Sequence, residues 1–152
     1  MVRAYRYVLL LVASCLRADD RLTISIHRNN KVALCQTGEI IVNDNVRVFY
    51  LERTVREELL KPLRPGTYTG TLYSDSGGHW RLTISIGKSK RIEFHLGSML
   101  DQTEPYLLVG IRHGNDLCTI IDTPAAVRKL EGALRGTGER PVQVTIVNSV
   151  GK

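Results

Sequence analysis

The sequence predicts a mainly β domain, a barrel or sandwich covered by one helix near the C-terminus. Three observations carry this. Apolar and polar residues alternate through most of the chain, turn residues interrupt them at short intervals, and one segment carries both a start and a stop signal for a helix. At 152 residues, 43% hydrophobic and 24% charged, the chain is large enough to bury one core. No Pro/Ser-rich linker or low-complexity tract divides it, so residues 21–152 read as one β-rich domain behind a distinct segment, residues 1–20.

That first segment has the layout of a bacterial signal peptide. Arg3 and Arg6 precede the apolar run Tyr7 to Ala13, and small residues follow. Val12-Ala-Ser-Cys15 is similar to a lipobox, which makes Cys15 a lipidation candidate and export to the periplasm or a lipid-anchored envelope site the expected localisation. The run is far shorter than the ~20 apolar residues that span a bilayer, so membrane contact is expected only through a lipid anchor. The alternative is that Tyr7 to Leu16 is a buried strand or short helix of the domain, in a cytoplasmic or virion-associated protein.

Along the domain, Ile24 and Ile26 alternate with Thr23 and Ser25, and Val46 and Val48 flank Arg47, the pattern of antiparallel strands with one wet face. Turns are expected at Arg28-Asn-Asn30, where His27 ends the first strand, and at Asn43-Asp-Asn45, Arg64-Pro-Gly66, Ser76-Gly-Gly78 and Gly136-Thr-Gly138. This punctuation gives about ten short strands. Arg21 to Ile26 recurs as Arg81 to Ile86, a coincidence of a small strand alphabet rather than a duplication. Thr54 to Lys61 has acidic residues early and Pro62 after it, consistent with a short second helix. The principal helix starts at Thr123 as cap with Pro124 in the first helical position, places Val127, Leu130 and Leu134 on one face, and stops at Gly136.

Cys35 and Cys118 lie in apolar surroundings. They can pair in an oxidising compartment, but a thiol in such a strand is more often packing material, and that reading is preferred. The chain carries a net charge of +6, and its densest basic stretch, Gly87-Lys-Ser-Lys-Arg91, reads as a hairpin tip. Such a tip attracts an anionic polymer, or simply solvates an edge. Aromatic residues are only 6% and do not interleave with the basic ones, so nucleic acid is not an expected partner. No zinc-ligand spacing, acidic cluster or cofactor motif occurs, so neither metal nor cofactor is expected. His79, which follows Gly77-Gly78 and precedes Trp80, is expected in a flexible loop that borders a binding groove, while His27 and His113 read as surface residues.

His95-Leu-Gly-Ser-Met-Leu-Asp-Gln-Thr-Glu-Pro-Tyr-Leu-Leu-Val-Gly110 resembles the signature H-P-G-N-x-x-x-D-T-x-G-C-x-L-V-G of a small domain of unknown function found in phages, prophages and bacteria. That signature is itself similar to the active site of L,D-transpeptidases, which cross-link peptidoglycan through a cysteine. Gly38 to Glu52, Leu63 to Tyr68 and Ile120 to Leu130 resemble further segments of the same domain in the same order. The resemblance implies an L,D-transpeptidase-like β fold, but Tyr106 stands at the cysteine, Pro105 at the preceding glycine, Ser98 at the asparagine and Gln102 at the aspartate. A phenol titrating at about 10 has no thiolate chemistry at neutral pH.

What the resemblance implies is therefore a degenerate, non-catalytic domain that binds peptidoglycan, another anionic envelope polymer, or a protein. Its groove candidates are Glu52, His95, Gly97, Ser98 and Tyr106, with Glu52 carried only by its Leu-Glu match. Two alternatives remain. One is an active transpeptidase or hydrolase with a relocated nucleophile, Ser98 or Cys118. The other is a phage structural or accessory protein.

Overall fold

The computed structural model describes residues 21–32, 35–53, 63–74, 80–88, 90–97, 106–116, 118–134 and 139–149. The expected signal segment, with Cys15, lies outside the described residues, as do Thr54 to Lys61, the turns at Ser76 to Gly78 and Gly136 to Gly138, His79 and Ser98.

Among the described residues, ten strands and one helix follow the sequence pattern. They are β1 (Leu22–Val32), β2 (Cys35–Val42), β3 (Val46–Arg53), β4 (Gly66–Ser74), β5 (Trp80–Ile86), β6 (Lys90–Gly97), β7 (Tyr106–Gly110), β8 (Arg112–His113), β9 (Ile120–Ile121), α1 (Thr123–Leu134) and β10 (Arg140–Asn148). Eight strands close a barrel in the order β1-β10-β4-β5-β6-β7-β3-β2, which leaves no unpaired edge. The β1/β10 and β6/β7 pairs are parallel and the remaining ladders antiparallel.

The apolar member of each alternating pair points inward. Ile24, Ile26, Ile40, Val48, Leu72, Leu82, Ile84, Val109, Val144 and Ile146 form one buried cluster, which Ala126, Leu130 and Leu134 of α1 join. The helix packs on β3, β6 and β7. Its cap is Asp122 rather than Thr123: Asp122 Oδ1 accepts from the Ala125 N–H at 3.2 Å, which moves Pro124 to the second helical position. Asp122 holds φ 59°, a left-handed conformation that short polar side chains tolerate best.

The Asn43–Asn45 turn forms as expected. Asn43 (φ 49°) and Asp44 (φ 57°) have the positive dihedrals of a tight hairpin, and the Asn43 side chain accepts from the Thr23 N–H at 3.0 Å. The turn expected at Arg28-Asn-Asn30 is absent. β1 continues to Val32 through a bulge between Arg28 and Asn30, so His27 is not its end. Opposite that bulge lies Gly38, where a Cβ would collide with the His27 carbonyl and crowd the Tyr50 ring. Glycine there lets Tyr50 cross the interior, fully buried.

Outside the barrel, β8 and β9 form a small hairpin stapled to β2 by a Cys35–Cys118 disulfide that links residues 83 apart. This overturns the expectation of two free, packing cysteines. Cys118 lies in the turn between β8 and β9, a position that sequence periodicity does not connect with Cys35. The hairpin sits close because Gly110 has no Cβ to meet Ile120 and Ile121, and His113 meets the Phe49 ring edge-on at 5.0 Å.

Candidate functional site

Alternation on three neighbouring strands assembles a polar quartet on the outer wall. On β5, Leu82 and Ile84 face the core, which turns Arg81 outward. The β5/β6 ladder sets His95 opposite Arg81, and the β4/β5 ladder sets Tyr73 opposite Arg81 from the other side. Glu93, two residues before His95, shares its face.

Arg81 is the centre of the quartet. Its Nη1 donates to Glu93 Oε1 at 2.6 Å and lies 3.0 Å from His95 Nε2, while the Tyr73 hydroxyl donates to Glu93 Oε2 at 2.9 Å. Glu93 Oε1 also lies 3.5 Å from His95 Nε2, so that ring nitrogen faces both the Arg81 guanidinium and the Glu93 carboxylate rather than open solvent. His95 is 9% exposed, so solvent does not readily displace those partners. The Arg81 hydrogen bond holds the Glu93 carboxyl below the usual range, against partial burial and helped by Tyr73. Burial and the hydrogen bond to Glu93 push the Tyr73 phenol up.

The parallel β6/β7 ladder pairs His95 with Tyr106 and Gly97 with Leu108. The position expected for a nucleophile is therefore the direct register neighbour of the histidine, and its residue is tyrosine.

Glu52 is not part of this wall, contrary to the expected groove. It alternates with Leu51 and shares the inward face of Val48 and Tyr50, so its carboxylate enters the barrel. There Arg28, on the inward face of β1, places Nη2 3.5 Å from Glu52 Oε2 and donates through Nη1 to the Leu63 carbonyl. Burial pushes the Glu52 carboxyl up, and the Arg28 charge and hydrogen bond only partly offset it. Burial likewise pushes the Tyr50 phenol up, aided by Glu52 and opposed by Arg28. Among the described residues, neither Arg28 Nε nor the Tyr50 hydroxyl, both buried, has a hydrogen-bond partner.

The relocated-nucleophile alternative loses Cys118, whose sulfur is bonded to Cys35 and provides no thiolate. The basic stretch does form a hairpin tip, with Ile86 paired to Lys90 and Gly87 at φ 61°. Trp80 is the first residue of β5, and His113 lies in β8, where burial pushes its imidazole down despite a Gly38 hydrogen bond and Glu39. Among the described residues, no group of three His, Cys, Asp or Glu side chains could hold a metal ion.

Sequence reading missed Tyr73, Arg81 and Glu93. The available signal was the alternation of β6, which places Glu93 beside His95, and the arginine opening the repeated Arg81 to Ile86 hexapeptide. No family model, curated protein or solved structure matches the chain.

Proposed function

We propose that this is a non-catalytic L,D-transpeptidase-like domain, exported to the cell envelope, whose outer wall around His95 binds peptidoglycan or a similar envelope polymer. The observation that carries the reading is the pairing at the former catalytic position. His95 has Tyr106 as its register partner, and its Nε2 is engaged by Arg81. An imidazole so engaged orients a binding surface, and the residue paired with it carries no thiol to complete a nucleophile–base pair. Binding without turnover needs only the wall and its fixed donors and acceptors. The Cys35–Cys118 disulfide supports export, since such bonds persist in oxidising compartments.

The test is co-sedimentation of the oxidised chain with purified peptidoglycan sacculi. The reading predicts that the wild type pellets with the sacculi and that His95→Ala and Arg81→Ala remain soluble at concentrations where the wild type is bound. Equal pelleting of all three proteins, or none, contradicts it.

A further inference from the structure

Where β4 ends and β5 begins, Tyr73, Ser74 and Trp80 meet Glu139, just ahead of β10, around an open cleft of about 470 Å³. That volume is within the roughly 300–1,000 Å³ of small-ligand sites. Two of its walls are aromatic and both are held in place. Trp80 is half-buried against the core cluster, and the Tyr73 hydroxyl is fixed on Glu93 at 2.9 Å. Ser74, the register partner of Trp80, adds a hydroxyl, and Glu139 adds an exposed carboxylate.

The surroundings select the ligand's charge. Arg81 stands opposite Tyr73 in the ladder and shares the Glu93 carboxylate with it, so a cationic guest meets a guanidinium beside the cleft. An anionic guest meets Glu139. A neutral guest with one apolar face and a hydroxylated edge avoids both costs: the face lies on an aromatic ring, and the edge donates to the carboxylate.

We propose that this cleft is a sugar subsite that takes a neutral pyranose unit of a glycan, stacked on Trp80 and hydrogen-bonded by Glu139. The proposal deepens the envelope-binding reading by naming the part of the polymer that is held, and rests on that reading only for the source of the sugar.

Trp80 is the chain's single tryptophan, so its emission reports on this cleft alone. The experiment titrates the oxidised full chain with the disaccharide of N-acetylglucosamine, following Trp80 fluorescence and, in parallel, heat by calorimetry. The proposal predicts a saturable signal with matching affinities in both, about tenfold weaker binding for Glu139→Gln, and a smaller loss for Ser74→Ala. Tetramethylammonium chloride should not compete. Absence of saturation in both measurements, an affinity indifferent to Glu139→Gln, or displacement by tetramethylammonium overturns the proposal. Sacculus binding without disaccharide binding overturns this subsite and leaves the envelope reading standing. Disaccharide binding without sacculus binding does the reverse.

Discussion

The barrel holds the same three residue types, arginine, glutamate and tyrosine, in two places with opposite consequences. Inside, between β1 and β3, Arg28 reaches Glu52 at 3.5 Å near a fully buried Tyr50. On the outer wall, Arg81 reaches Glu93 at 2.6 Å and Tyr73 completes the carboxylate's bonds. Burial pushes the inner carboxyl up, whereas hydrogen bonding holds the outer one down. The difference shows that composition does not set the protonation behaviour of such a cluster. The inner pair loses more hydration than its single long contact returns. The outer pair keeps solvent on one side and gains two short bonds.

The largest effect expected from breaking the comparison is on the inner side. Arg28→Ala strands Glu52 and the Leu63 carbonyl inside the barrel, and denaturant unfolding should show a loss of about 3–5 kcal/mol. The disulfide is anchored on β2, the strand between β1 and β3, and Cys35→Ala with Cys118→Ala should cost about 2–4 kcal/mol by the same measurement, with a parallel loss on adding a reductant to the wild type. On the outer wall, Glu93→Gln should cost no more than about 1 kcal/mol, because the Arg81 and Glu93 side chains remain 29% and 37% exposed.

The smallest and sharpest effect is in pH dependence. A raised folded-state value means that the folded chain binds protons more tightly, so the Glu52 contribution is favourable in acid and falls as pH rises above the ordinary carboxylate range. A lowered one means that the Glu93 contribution is present above that range and disappears as pH falls below it. Unfolding free energies followed from pH 7 to pH 3 should therefore show a shallower acid loss in Glu93→Gln and a steeper one in Glu52→Gln. Identical slopes would remove the distinction between the two clusters.

Much of the fold was legible from alternation. Ile24 and Ile26, Val46 and Val48, and Asn43 to Asn45 specify strands and a turn by local rules that tertiary structure obeys. The failures occur where polar residues point inward or where contacts are remote. Arg28 continues the inward series of Ile24 and Ile26, so its charge and the following asparagines imitate a turn where the strand only bulges. Glu52 entered the expected groove through a dipeptide match, whereas the strand's period of two puts it on the face opposite His95. The Cys35–Cys118 bond depends on how the β8/β9 hairpin folds back across 83 residues, and no local pattern encodes that. Of the candidate site, His95 and the Tyr106 position were picked out by the signature resemblance, while their direct pairing, and the approach of Tyr73, Arg81 and Glu93, came only through barrel register.

On the proposed function, the wall around His95 binds its ligand without turning it over. The most direct measurement is mass analysis of peptidoglycan fragments after sacculi have been incubated with the oxidised protein at concentrations that give saturated binding. The account predicts a fragment profile identical to that of untreated sacculi. New cross-linked or hydrolysed fragments that disappear with His95→Ala would contradict it.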